Sequence, residues 1–233
     1  MQNILYITRK EFRSFFNLTI GYVFIVVYLL FTNGLFFYTF FLVNRAEMRN
    51  YFTILPWVFL FFIPAVTMRL WAEEKKQGTL ELLLTLPIKD YEAVIGKYLA
   101  SLLLIIITLV LSLNVPITVA LLGEPDSGPI LGGYVGALLL GAAYAAIGVC
   151  ISSMTENQIV AFLISVFIIA GSLLAGMLAD IMGSLGPLLR FLSLGEHFQS
   201  IARGVIDSRD VIYYLSVIFF FLFLNNFIVV SRK

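Results

Sequence analysis

The residues of this sequence that could do chemistry form one small polar group late in the chain. The group combines three carboxylates with the single histidine of a 233-residue protein, and its members are Asp180, Glu196, His197 and Asp210. Carboxylates and imidazole are common proton-transfer catalysts, so such a group could serve an enzyme that acts on lipids. Its spacing matches no established mechanism, and we expect the lone histidine to be structural rather than a pH-sensitive or metal-binding group.

The sequence contains no motif that binds nucleotide phosphates or metals. The dipeptide Gly96-Lys97 lacks the earlier glycine of a phosphate-binding loop and is followed by Tyr98 instead of Ser or Thr. The HExxH and GxSxG motifs are also absent. The only cysteine, Cys150, lies in an apolar run, which excludes disulfides and cysteine-based metal sites. We therefore expect no catalytic site, no metal site and no cofactor site in this chain.

The composition identifies an integral membrane protein. Hydrophobic residues make up 61% of the chain, charged residues make up 12%, and the mean hydropathy is +0.99. A soluble domain carries about 25% charged residues, so the surface of a soluble protein this apolar could not stay solvated. The net charge of +1 gives no reason to expect nucleic-acid binding.

Six apolar stretches are long enough to cross a bilayer as helices, which takes about 20 residues each. The stretches are continuous rather than alternating, so they predict helices and not barrel strands. The sequence thus predicts an all-α integral membrane protein with one transmembrane domain over residues 1–233. The predicted spans cover residues 19–43, 51–71, 93–122, 130–152, 157–180 and 211–230.

The cores of these spans lack ionisable residues, which weighs against an ion-driven carrier because such carriers generally need a charge inside the membrane. Their polar content consists mainly of asparagines, which we assign to hydrogen bonds between helices rather than to a substrate path. The fourth span is rich in small residues, with a GxxxG pair at Gly132 and Gly136. Such faces allow close helix packing, and we favour packing within one chain over a contact between subunits.

The basic residues predict the orientation. If the N-terminus is cytoplasmic, ten of the fifteen basic residues, including every Lys, lie on the cytoplasmic side, as does the C-terminus, and the five basic residues outside are all Arg. Residues 1–16 then form an amphipathic helix on the inner leaflet, which serves either as an anchor or as a docking site. Residues 181–210 lie outside, where Gly and Pro interrupt an apolar segment. We expect broken, re-entrant helices there, before the last span.

Residues 72–100 are densely charged and contain a Leu-rich element too short to span a bilayer. Gly78 breaks the helix that continues from the second span, and Thr79 can cap a new helix over residues 79–86. The glutamates that flank its leucine stripe disfavour adhesion to an anionic leaflet. A groove on a cytoplasmic protein is therefore the better partner for this short amphipathic helix.

The stretch AEEKKQGTLELLLTLPI, residues 72–88, resembles the E-(R/K)-x-x-G-T-L-E-L-L-L-x-x-P signature of ABC-2 type transporter permeases. The six spans, the N-terminal helix and the broken segment before the last span agree with that family. SSMTENQIVAF, residues 152–162, and EHFQSIARGVIDSRDVIYYLS, residues 196–216, are similar to one branch of it. That branch contains the gliding-motility permeases and the nitrous-oxide-reductase maturation permease.

The resemblance implies a non-catalytic permease subunit of an exporter in the cytoplasmic membrane of a bacterium or archaeon. Two cytoplasmic ATPase subunits would bind ATP and Mg²⁺, and the 79–86 helix would be the coupling helix that seats against one of them. A second permease copy is implied, with a homodimer favoured over a heterodimer, and a periplasmic or extracellular accessory protein is compatible. The implied ATPase-coupling residues are Glu73, Glu74, Lys76, Gly78, Thr79, Leu80, Glu81, Leu82, Leu83 and Leu84.

Two further sets of residues follow from the resemblance. The turn before the fifth span would also lie near the ATPase, and its Thr-x-x-Gln pattern fits a capping box; its residues are Thr155, Glu156, Asn157 and Gln158. The dimer contact would join the first and fifth spans, with candidates Phe24, Phe31, Gly171, Ala175 and Ala179. Two alternatives from another class remain: a non-transporting membrane scaffold and an integral lipid-modifying enzyme.

Overall fold

The computed structural model describes residues 2–43, 47–80 and 88–231, and every regular element within these ranges is helical. A helix over Gln2–Asn17, which we call the N-terminal helix, precedes six helices that are long and apolar enough to cross a membrane. Span 1 is Ile20–Val43, span 2 is Arg49–Thr67 continued by Arg69–Lys76, span 3 is Asp90–Leu111 continued by Asn114–Leu122, span 4 is Ser127–Ser152, span 5 is Gln158–Ala179, and span 6 is Ser208–Val230. The predicted fold class and its six spans are confirmed, with the ends of the spans shifted by a few residues.

Span 4 is the central helix of the bundle. In its most apolar 18 residues 83% are buried by the rest of the chain, against 28% in spans 1 and 5 and 11% in span 6. Its glycines explain this central position, because a methyl group on any of several of them would overlap a neighbouring element. A Cβ atom on Gly133 would lie 2.4 Å from the Phe52 ring, and one on Gly132 would lie 2.4 Å from the Ile201 carbonyl oxygen. The small-residue face therefore packs within the chain.

The segment between spans 5 and 6 contains two short helices, Gly186–Leu192 and Leu194–Ala202, which we call the short helix pair. The hydroxyl group of Ser193 accepts a hydrogen bond from the Glu196 N–H and so caps the second of them. Tyr213 and Tyr214 of span 6 donate hydrogen bonds to backbone carbonyl oxygens of the pair. The predicted breaks are present, whereas the depth of this segment in a bilayer stays a prediction.

The N-terminal helix packs on the beginning of span 3, and we call this end of the bundle the N-helix end. Its buried residues are Ile7, Thr8, Glu11 and Phe15. A Cβ atom on Gly96 would lie 2.7 Å from the Ile7 side chain, so this glycine allows the two helices to touch. The hydroxyl group of Thr8 also donates to the Gly96 carbonyl oxygen at 3.2 Å. The protein thus covers the side of the helix that carries Ile7, Glu11 and Phe15, while Leu5 and Tyr6 stay exposed.

Candidate functional site

A buried charge cluster occupies the N-helix end of the bundle. Its centre is Lys97 of span 3, which is 0% exposed. The Lys97 Nζ atom lies 3.0 Å from Glu11 Oε1 on the N-terminal helix and 2.9 Å from Glu74 Oε2 at the end of span 2. It also donates to the Leu70 carbonyl oxygen at 2.7 Å. The ammonium group thus donates to Glu11 and to the Leu70 carbonyl oxygen, and its contact with Glu74 is an ion pair.

The rim of this cluster completes the charge balance. The Lys10 ammonium, on a side chain that is 58% exposed, lies 3.7 Å from Glu11 and 3.5 Å from Glu74. Each carboxylate therefore faces one buried and one exposed cation. The Trp71 ring lies under the Lys97 ammonium at 4.8 Å, which adds a cation–π contact. The two lysines and the two glutamates of the cluster thus carry no net charge, and they join three helices.

The burial of Lys97 was not predicted from the sequence. This lysine is counted among the charges of the cytoplasmic side, and it lies in the first turns of span 3, where other helices bury it; Arg69 near the end of span 2 is also buried. Both residues lie near the ends of their helices, so the prediction that the cores of the spans lack ionisable residues stays a prediction. Two signals could have indicated the cluster: Glu11 lies four residues from both Ile7 and Phe15 on the apolar face of its helix, and Lys97 lies within an apolar run.

A second set of contacts holds the end of span 2 against span 4. The helical bonding of span 2 is interrupted at Met68, and a helix start leaves N–H groups without partners in its own helix. The Ser152 Oγ atom accepts hydrogen bonds from the N–H groups of Trp71 (3.1 Å) and Ala72 (3.2 Å). The same hydroxyl donates to the Met68 carbonyl oxygen at 2.7 Å. One serine of the central helix therefore satisfies three backbone groups at this interruption.

The signature residues continue directly from these contacts. Glu73 is paired with Arg69 at 3.8 Å, and Glu74 belongs to the buried charge cluster. The helix ends at Lys76, and Gly78 has a φ of +68°, a left-handed conformation that favours glycine and ends the helix as predicted. Helical conformation resumes at Thr79 and Leu80. The remaining predicted coupling residues, Glu81, Leu82, Leu83 and Leu84, lie outside the described residues.

The turn between spans 4 and 5 lies close to this stretch, because the Lys75 Nζ atom donates to the Ser153 carbonyl oxygen. Span 5 begins at Gln158, and its N-cap is Asn157, whose side chain accepts from the Ile159 N–H at 2.9 Å. The predicted capping box is therefore wrong: Thr155 instead accepts from the Asn157 N–H within the turn. Asn157 and Thr155 are both suited to cap this helix, and the bond from the Ile159 N–H to the Asn157 side chain excludes a cap by Thr155. Glu156 is exposed.

The residues predicted for a contact between subunits divide into covered and uncovered ones. Phe31 is 56% exposed, and a Cβ atom on Gly171 would meet no atom within 4 Å. Phe24 is half-buried against Phe62, and Ala175 is also half-buried. Ala179 is only 4% exposed, because the backbone at Gly186 lies directly over it.

The polar group that could have been catalytic is not a single cluster. The Nδ1 atom of His197 lies 2.6 Å from Asp210 Oδ1, and its Nε2 atom lies 3.1 Å from the Phe191 carbonyl oxygen. Asp180 is paired with Arg190 instead. With both ring nitrogens bonded and its ring stacked on Tyr213 at 3.9 Å, His197 joins the short helix pair to span 6. This arrangement fits the structural role expected of a lone histidine.

Comparison with known proteins agrees with the signature and with the six spans. A family model described as "ABC-2 family transporter protein" matches residues 51–230, from the start of span 2 to the end of span 6. None of the curated proteins matches the chain. The family match covers well over half of the sequence. The chain therefore belongs to the ABC-2 transporter family, whose members are the non-catalytic, membrane-spanning permease subunits of ATP-binding cassette transporters.

Proposed function

We propose that this permease couples ATP hydrolysis by separate cytoplasmic ATPase subunits to export across the cytoplasmic membrane of a bacterium or archaeon. The observation that supports the proposal is the place of the signature stretch. Glu74 is fixed in the buried charge cluster, whereas Lys76, Gln77, Gly78 and Thr79 are exposed beyond it. Span 2 is 28 residues long, about 42 Å, so its last turns extend past the roughly 30 Å apolar core of a bilayer.

In this proposal, residues 79–86 form the coupling helix and the turn Thr155–Gln158 lies beside it. The leucine stripe would be covered by the ATPase, because a short amphipathic helix needs a groove to bury its apolar face. Closure of two ATPase subunits on ATP would displace the helices, and a rigid-body movement of the spans would follow. The chain itself contributes no group to the hydrolysis of ATP or to the binding of Mg²⁺.

Leu83→Asp is expected to abolish association with the ATPase while membrane insertion remains normal. A carboxylate at the centre of an apolar contact costs about 3 kcal/mol or more, which is roughly a 100-fold loss of affinity. The measurement is copurification of an ATP-hydrolysing subunit with the tagged chain from its native membranes. Leu185→Asp is the matched control, because Leu185 is 51% exposed in the turn before the short helix pair. Retention of the ATPase by the Leu83 variant contradicts the proposed contact.

The orientation is proposed to be cytoplasmic at both ends of the chain. Single cysteines at Ser127 and Ser184 should then react with an impermeant thiol reagent added outside intact cells, and those at Gln77 and Asn157 should not. All four positions are exposed, so their access depends on the side of the membrane. The native Cys150 is 0% exposed and gives a low background. The reverse labelling pattern rejects this orientation.

A second permease copy is proposed because one coupling helix serves one ATPase, and the family uses two ATPases. We place the contact on the uncovered faces of spans 1 and 5, at Phe31, Gly171 and Ala175, with Phe24 beside it. Ala179 is left out because its own chain covers it. The native mass of the purified complex should correspond to two identical permeases and two ATPases; a mass with one permease copy contradicts the homodimer.

The branch of the family is a further proposal. It rests on the similarity of residues 152–162 and 196–216 to the gliding-motility and nitrous-oxide-reductase maturation permeases. Such a permease should be encoded beside an ATPase and a periplasmic partner protein. An isolated permease gene without either neighbour counts against this branch.

A further inference from the structure

The helix is interrupted at both ends of the segment Arg69–Lys76. At its start, span 2 is divided at Met68, and the Trp71 and Ala72 N–H groups that follow bond Ser152 of span 4. At its end, Gly78 adopts a left-handed conformation, and no atom lies within 4 Å of the position that a Cβ atom would take there. A segment between two such interruptions would absorb a displacement applied to it by bending, unless other contacts held it.

The buried charge cluster supplies those contacts from the side. Lys97 bonds the segment twice, through the Leu70 carbonyl oxygen and through Glu74, and it bonds the N-terminal helix once, through Glu11. Next to it, the Arg69 Nη2 atom donates to Ser14 Oγ at 2.8 Å, which joins the segment to the N-terminal helix a second time. The segment is therefore held on its flank by span 3 and the N-terminal helix.

The N-terminal helix is in turn held on span 3 by contacts of its residues 3–11. Asn3 donates to Glu92 Oε2 at 2.9 Å, Thr8 donates to the Gly96 carbonyl oxygen, and Ile7 packs on Gly96. These contacts precede Glu11 in the helix, and the Arg69 guanidinium covers the ring of Phe15 after it. Three helical segments distant in sequence thus share one compact junction with Lys97 at its centre.

Stability alone does not explain why this junction is charged. Replacing a buried ion pair by apolar residues of similar size is often neutral or stabilising, because taking charges out of water offsets most of their attraction. Removing one partner, in contrast, leaves an uncompensated buried charge. A buried cluster of this kind selects one arrangement of the helices, since Lys97 meets both Glu11 and Glu74 only when the three helices lie together.

We propose that Lys97 is a positioning residue for energy coupling: it makes the N-terminal helix, the segment Arg69–Lys76 and the start of span 3 move as one body. A displacement at residues 78–80 is then delivered to span 3 instead of being absorbed at Met68. The transmission part of this inference rests on the function proposed above, whereas the rigidity of the junction does not. The N-terminal helix accordingly belongs to the coupling machinery and is more than a membrane anchor.

The test uses two variants that separate stability from positioning. Lys97→Met alone leaves Glu11 and Glu74 buried with only Lys10 near them, so it should lower the thermal midpoint. The neutral triple variant Glu11→Gln, Glu74→Gln, Lys97→Met removes the three inner charges of the cluster and should restore the midpoint. Lys89→Met is the matched control, because Lys89 is exposed at the start of the same helix and takes no part in the cluster.

Rigidity is measured without any partner, by the distance distribution between spin labels at Gln77 and Leu103 in the full chain with Cys150→Ala. Both positions are exposed, one beyond the segment and one on span 3. We expect a narrow distribution in the native chain and in Lys89→Met, and a broad one in the neutral triple variant. An unchanged distribution in the triple variant overturns the inference.

Transmission is measured on the complex with the copurified ATPase. Turnover is measured per bound ATPase, because Glu74 is one of the implied coupling residues and its substitution can also weaken binding. The permease-dependent ATP turnover of the triple variant, per bound ATPase, should fall by about 5- to 150-fold, the usual range of allosteric coupling. Normal turnover together with a broad label distribution also overturns the inference, while the proposed function stands. Failure of the native chain to bind any ATPase rejects the proposed function. The rigidity of the junction is then tested by the spin-label distances alone.

Discussion

Gly148→Ala is expected to destabilise the folded chain by about 1–3 kcal/mol or more, because it overpacks the contact between spans 2 and 4. A Cβ atom at this position would lie 2.0 Å from Thr67 Oγ1 and 3.0 Å from Thr67 Cβ. Thr67 cannot simply rotate away, since it is β-branched and fully buried and its hydroxyl donates to the Ile63 carbonyl oxygen at 3.0 Å. The spans must therefore separate, or the hydroxyl must lose its partner.

The control for this experiment is Gly34→Ala in span 1. No atom lies within 4 Å of the Cβ position at Gly34, so the substitution adds no contact. Alanine is favoured over glycine in a helix by about 1 kcal/mol, which predicts an unchanged or slightly raised midpoint. Thermal unfolding in detergent, followed by the amount of protein that stays monodisperse, compares the two. Equal midpoints for both variants show that spans 2 and 4 are not in the described contact.

Ser152→Ala is expected to lower stability by about 2 kcal/mol, since hydrogen bonds in membrane proteins contribute about 0.6 kcal/mol each and up to about 1.7. The substitution leaves the Trp71 and Ala72 N–H groups and the Met68 carbonyl group without the hydroxyl that bonds all three. These groups lie at the interruption of span 2, so the segment carrying the signature should also become more mobile. Hydrogen exchange at Trp71 and Ala72 should accelerate together with the drop in the midpoint.

Ser101→Ala is the matched control for that variant. Ser101 is also 0% exposed, but its hydroxyl bonds only the Tyr98 carbonyl oxygen of its own helix. Its removal should cost a few tenths of a kcal/mol, because no group of another helix loses a partner. If both serine variants behave alike, the bridge from span 4 to span 2 contributes nothing.

The spans could be predicted from the sequence because their signal is local. A run of about 20 apolar residues identifies a membrane helix without any knowledge of its neighbours. The short signature is also local, so the helix end at Gly78 follows from residue type alone. Composition likewise indicated that the glycines of span 4 would allow close packing, although it did not say which helices they would meet.

The buried charge cluster could not be predicted because its members are far apart in the chain. Lys97 and Glu11 are separated by 86 positions, and no local periodicity couples them. A basic residue near the end of an apolar run is ordinarily assigned to the membrane surface, and Lys97 counts as such a residue in the distribution of basic residues. The predicted cap of span 5 is wrong for a different reason. Thr155 and Asn157 are both good capping residues, and the path of the turn decides which of them caps the helix.

Spans 4 and 6 have nearly the same mean hydropathy, 2.1 and 2.0, but the chain buries 83% of one and 11% of the other. Hydrophobic mismatch therefore acts on them differently. A thinner or thicker bilayer changes the preferred tilt of the peripheral spans 1, 5 and 6, while span 4 is surrounded mainly by protein and responds to the lipid mainly through them. A change in membrane thickness therefore acts on the serine and glycine contacts of span 4 through the tilt of the peripheral spans. The chain length of the lipids is thus a natural variable for tuning this permease.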